Sequence, residues 1–125
     1  MDGKDSLVHK IGAMLMEDPH LSARPWRHLV IVAQILPNST KVNGFAYEEA
    51  GKPMPTGPRN LEILKVFRDL REAMREPGKE PWQACLVRID SLSRDISIDF
   101  EYDHPEKWLI SPATVKQMGE MLRPE

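Results

Sequence analysis

The sequence predicts an α+β domain, on three observations. Apolar residues recur at three-and-four spacing in segments near each end and in the middle of the chain. Between them, stretches rich in Val, Ile and aromatic residues arrive in pairs joined by short polar turns. The length, 125 residues, suits one domain with a single core. The expected order is helix, strand, strand, helix, strand, strand, helix. Hairpin pairs make the sheet antiparallel and four-stranded, and one clean apolar face calls for all the helices to pack on that face.

The first helix is expected over residues 6–16, where Leu7, Val8, Ile11, Met14 and Leu15 share a face and Asp18-Pro19 ends the run. In "WRHLVIVAQILP", residues 26–37, Leu29, Ile31, Ala33 and Ile35 alternate onto one side of a strand. Asn38-Ser39 favours a turn, and "TKVNGFAYEEAG" supplies the second strand, with Gly44 a candidate bulge. Residues 51–60, "GKPMPTGPRN", hold three prolines and two glycines and read as a surface connection. Asn60 then caps a helix whose stripe is Leu61, Leu64, Phe67, Leu70 and Met74, widened by Ile63, Val66 and Ala73. Pro77-Gly78 stops it. "WQACLVRID" and "RDISIDFEYD" form a second hairpin around Ser91 to Ser93. Last, Ser111 caps and Pro112 opens a helix carrying Val115, Met118, Met121 and Leu122.

The bulk numbers exclude several classes of function. A net charge of -2 and a pI near 6.1 lack the basic excess of a nucleic-acid binder. The longest apolar run, residues 29–33, falls far short of the roughly 20 residues of a spanning helix, so no membrane partner is expected. The N-terminus carries acids where a signal peptide would carry only bases, so a cytoplasmic location is expected. The lone Cys85, in "ACLVRI", reads as a buried structural thiol. His9, His20, His28 and His104 lack paired zinc spacing, and there is no nucleophile elbow, phosphate loop or dinucleotide fingerprint. No catalytic residue, metal or cofactor is expected. Trp26 and Trp82 each follow a proline at a strand start, where packing over a sheet end is the usual role.

Chemistry concentrates in "DISIDFEYDHPEKW", residues 95–108. Strand alternation sends Ile96, Ile98, Phe100 and Tyr102 one way and Asp95, Ser97, Asp99, Glu101 and Asp103 the other, with Glu106 and Trp108 beyond Pro105. Same-face neighbours stand about 7 Å apart, a spacing tolerated in water and favourable once a cationic surface closes over it. Two readings stay open: a solvated face balanced by Arg88 and Arg94, or a surface that binds a basic protein. A metal-dependent hydrolase built on Asp99 and Glu101, with Lys107 drafted in, is the weaker alternative, since side chains along one strand splay apart. A module whose sheet edge pairs with its own copy is another. Trp108, Tyr102, Phe45 and Tyr47 are the candidate anchors, wherever they are exposed.

The segments "VFRDLREAM", "EPWQACLVRID" and "ISIDFEYDHPEKWLISPATV" resemble the pattern of YezG-like immunity proteins. That pattern is a helix, a Pro-Trp strand start, a strand ending Phe-x-Tyr-Asp, and a final Trp before a Pro-started segment. The similarity covers the second half of the chain. It implies a bacterial antitoxin that binds and neutralises the C-terminal domain of a cognate polymorphic or contact-dependent toxin, commonly a nuclease, and it offers no catalytic residues. The acidic row agrees with that role, and the residues expected to face the toxin are Asp95, Asp99, Glu101, Asp103, Glu106 and Trp108.

Overall fold

A computed structural model describes residues 3–23, 25–36, 38–49 and 51–124. The elements run α1 (Gly3–Glu17), a 3-10 turn (Leu21–Ala23), β1 (His28–Leu36), β2 (Ser39–Tyr47), β3 (Met54–Thr56), α2 (Glu62–Ala73), β4 (Ala84–Asp90), β5 (Ile96–Glu101), a second 3-10 turn (Pro105–Trp108) and α3 (Val115–Met121). The class is α+β, but the sheet has five antiparallel strands, ordered β3-β2-β1-β4-β5, and not the four expected. The added strand lies in the proline-rich stretch expected to be connection alone. It is three residues long and pairs Phe45 with Pro55 at the sheet edge, where a missing N–H is tolerated.

The helices do not share a face. Leu29, Ile31, Ala33 and Ile35 of β1 join Cys85, Val87 and Ile89 of β4 under α1 and α2, which contribute Ile11, Leu15, Ile63, Val66, Phe67 and Leu70. The opposite face is also apolar: Val30, Val32, Phe45, Tyr47 and Leu86 lie beneath Trp108, Ile110, Met118 and Leu122 of the C-terminal arm. Alternation cannot leave one face polar when both parities of residues 29–33 are apolar, as in strands buried on both sides.

Polar side chains on that second face hold the arm down. Gln34 donates to the Pro105 carbonyl at 2.7 Å, Lys41 to that of Ile110 at 2.6 Å, and the Tyr47 hydroxyl to that of Gly119 at 2.9 Å. Helix α3 starts at Val115, later than expected, because Ser111 and Thr114 close a turn first. The Ser111 N–H donates to Thr114 Oγ1, and the Ser111 carbonyl accepts the N–H groups of Thr114 and Val115.

Asn60, expected to cap α2, lies one residue before the cap position, which Leu61 occupies with no side-chain cap bond; Asn60 Oδ1 accepts the Glu62 N–H just ahead of the helix. The β1–β2 register is continuous through Ile31 opposite Gly44, so there is no bulge; a side chain at Gly44 would strike the Val30 carbonyl oxygen. Trp82 is fully buried against Phe100, and Trp26 is half-buried with its indole N–H on the Leu21 carbonyl.

Candidate functional site

The β4–β5 hairpin positions the acidic segment. Asp90 closes the turn, its Oδ1 accepting the N–H groups of Leu92 and Ser93, and Arg94 completes it in the left-handed region at φ 63°. Arg27 binds both Asp90 oxygens, at 3.2 and 3.4 Å. That guanidinium, with the turn N–H groups, holds the Asp90 carboxyl down to about 2. The loop is thus fixed by charge-assisted bonds at the end of the sheet.

From there β5 runs antiparallel to β4, with Ser97 opposite Arg88 and Asp99 opposite Leu86. Ile96, Ile98 and Phe100 pack on the first core, as alternation requires. The row of carboxylates is shorter than the sequence suggests, because only Asp99 and Glu101 fall within the strand; Asp95 precedes it and Asp103 follows.

The acids differ in what they already hold. Asp99 is exposed and accepts from Arg88, diagonally across the pair. Glu101 accepts the N–H groups of Asp103 and His104 and lies 3.7 Å from Lys107, and these bonds, the Asp103 N–H first, lower its pKa. Its side chain is 16% exposed, so Glu101 chiefly turns the chain from β5 into the arm. Among the described residues nothing bonds the carboxylates of Asp95 or Asp103, both of which face solvent. Glu106 is also exposed, 3.4 Å from His104 Nδ1.

Trp108 does not belong to this surface. It is 8% exposed, its ring set into the second core with the Lys107 ammonium 5.3 Å from its centre. Phe45 and Tyr47 are buried too, leaving Tyr102, 44% exposed just past β5, as the accessible aromatic of the candidates. Cys85 is buried, and burial pushes its thiol up to about 12, out of nucleophilic range. Among the described residues no three His, Cys, Asp or Glu side chains converge as metal ligands, and Asp99 and Glu101 each face a cation of the chain itself.

Sequence reasoning passed over Asp18 and the residues that strap the arm. Asp18 is buried, with Oδ1 accepting the N–H groups of His20 and Leu21 and Oδ2 those of Arg59 and Asn60. Burial pushes its pKa up, but the four N–H bonds outweigh it and the net shift is downward. The bond pattern ties the end of α1 to the start of α2. Its signal was the Asp-Pro pair, read only as a helix stop.

An open groove of about 690 Å³ lies between α2 and the β1–β2 hairpin, bordered by Arg68, Arg71, Thr40 and Glu80. Arg68 donates to Thr40 Oγ1 and Arg71 to the Trp82 carbonyl, so both cations are engaged in the fold. No helix of the described residues is long and apolar enough to cross a membrane. Compared with known proteins, the chain matches no family model and no curated protein.

Proposed function

We propose that the protein is an immunity protein, a cytoplasmic antitoxin that neutralises a basic, nuclease-type bacterial toxin domain by stoichiometric binding, with no catalysis and no nucleic-acid or membrane partner of its own. The observation that carries this reading is the acidic margin around β5, where Asp99 lies exposed on the strand, Asp95 just before it, and Asp103 and Glu106 beyond its end, with the hairpin turn tied down by the Arg27–Asp90 pair. A nuclease domain needs cationic groups to hold phosphates, and exposed carboxylates occupy the same groups. The likeness of the second half of the chain to YezG-like immunity proteins points to the same class of partner.

Neutralising a lethal enzyme calls for nanomolar or tighter binding, roughly 12 kcal/mol. Exposed charges seldom supply that alone, so part of the affinity must come from desolvated contacts, and Tyr102 is the accessible aromatic beside the acids. Glu101 and Trp108 act indirectly, by shaping the segment that carries them.

The test is to sequence the adjoining upstream reading frame, which the reading expects to encode a large protein with a variable C-terminal domain, and to co-express that domain with the protein; a frame of another kind counts against the reading. The expected result is an equimolar complex that survives purification and abolishes the domain's activity, with no turnover by the protein itself. Failure to bind or protect against that domain overturns the reading.

A further inference from the structure

The acidic margin coincides with an open sheet edge. Strand β5 ends the sheet, and its ladder bonds run only toward β4. Two bonds fix which backbone groups point outward. The Asp90 N–H donates to the Asp95 carbonyl at 3.0 Å, and on the other side of β4 the Ile35 N–H donates to the Gln83 carbonyl at 2.9 Å. Antiparallel alternation then turns the backbone of Asp95, Ser97, Asp99 and Glu101 toward β4 and that of Ile96, Ile98 and Phe100 away from the sheet. Among the described residues no bond reaches the outer N–H or C=O groups of these three. At the opposite margin, β3 is only three residues long and carries Pro55, so it is poorly suited to receive a strand.

We infer that the outer edge of β5 receives a β-strand of the toxin domain, paired backbone to backbone with Ile96, Ile98 and Phe100, its basic side chains over Asp99 and the flanking Asp95 and Asp103. This rests on the immunity reading and specifies how the partner is held. Main-chain bonds supply affinity, and the two faces of the incoming strand supply selectivity. On one face apolar residues extend the row of half-buried Ile96, Ile98 and Phe100; on the other, cations meet the acids.

Charge also argues against a second copy of this chain as the occupant. A two-fold antiparallel pairing of β5 with itself that uses at least two of the outward residues centres on Ser97, Ile98 or Asp99. Centred on Ser97 it sets Asp95 opposite Asp99; on Ile98, Asp95 opposite Glu101; on Asp99, Asp99 opposite itself. Each puts like charges directly across the pair, which is destabilising. A basic strand meets no such conflict.

The experiment is amide hydrogen exchange by NMR on the intact protein, free and in complex with a catalytically silenced form of the domain from the upstream reading frame. In the free protein the amides of Ile96, Ile98 and Phe100 exchange fast while those of Ser97 and Asp99 are protected. In the complex all three outward amides slow by at least about tenfold, as new hydrogen bonds require. Binding is then compared for Ile98→Pro, which removes an outward N–H but no ladder bond to β4, and Ile98→Ala, which keeps it. The proline variant binds at least about tenfold more weakly than the alanine variant.

A complex that forms while the three amides exchange as before overturns the inference and leaves the immunity reading standing. No complex at all removes both. Protection that appears without the toxin domain and grows with protein concentration assigns the edge to a second copy and also overturns the inference. The exchange pattern of the unaltered protein decides the matter even where Ile98→Pro does not fold.

Discussion

Asp18 shows how much one side chain organises. Each of its oxygens faces two backbone N–H groups, so the site is matched to an acceptor with no donor of its own. Asp18→Asn would aim an amide NH2 at two N–H donors, and Asp18→Ala would leave all four without their acceptor; either is expected to cost about 3 kcal/mol in urea unfolding at pH 7. The pH dependence has a definite sign. A carboxyl whose folded pKa lies below its ordinary 3.8 stabilises the fold fully above about pH 4, and the contribution fades as pH falls through the folded value. Asp90, held to about 2 chiefly by Arg27, adds a loss between about pH 4 and 2. The urea midpoint of the native protein should therefore stay level from neutral pH to about 5 and fall below it. Asp18→Asn should start lower and fall less steeply, and a midpoint that declines just as steeply in that variant would remove Asp18 from the account.

At the scale of elements, the C-terminal arm is the layer that closes the fold. Trp108 fills the second core beside Val30, Val32 and Leu86, so Trp108→Ala should destabilise by about 3–5 kcal/mol. If Trp108 is core and not anchor, the folded fraction of that variant should capture the toxin domain with unchanged affinity, read by titration under conditions where circular dichroism shows the fold intact. The sequence makes both hairpins, the inward set of β5 and most of the α2 stripe legible, because period and turn chemistry are local properties; at the helix start, however, Leu61 is exposed and Leu64 only half-buried, and Ile63 and Val66 carry the buried face with Phe67 and Leu70. It hides the arm's position, because the polar residues that receive it, Gln34, Lys41 and Tyr47, look like ordinary outward positions until a carbonyl from residues 105–119 arrives over each. The apolar run through both parities of β1 did carry that information, as a strand covered on both sides. Strand β3 escaped for a different reason: three residues including Pro55 generate no pattern, and pairing at an edge imposes little on sequence. For the acidic segment, alternation located the carboxylates and pointed to Arg88 as a balancing cation, which it is for Asp99, but it did not give the pairing geometry or the turn bonds of Glu101. Arg88 reaches Asp99 by a diagonal contact set by the β4–β5 register, and Glu101 is recruited by the turn at Asp103 and His104.

Across the whole molecule, net charge is nearly balanced at -2, so electrostatic steering must come from an uneven distribution. Around the β5 margin five carboxylates, Asp95, Asp99, Glu101, Asp103 and Glu106, outnumber three cations, Arg88, Arg94 and Lys107. Asp95, Asp103 and Glu106 are exposed and make no bond to the core, so Asp95→Asn, Asp103→Asn and Glu106→Gln together should leave thermal unfolding nearly unchanged. On the proposed immunity function, the same triple change should slow association with the toxin domain about tenfold at low ionic strength, with little effect on dissociation, because rim charges act on encounter more than on residence. Screening then makes a second demand: as salt rises and the Debye length drops from about 10 Å toward 3 Å, the native rate should fall until it meets that of the triple variant. Stopped-flow measurement across a salt series distinguishes this from simple loss of contacts, which would keep the two rates apart at every ionic strength. A native association rate indifferent to salt would mean that the backbone edge and apolar contacts accomplish capture without steering, and the exposed acids would have no part in it.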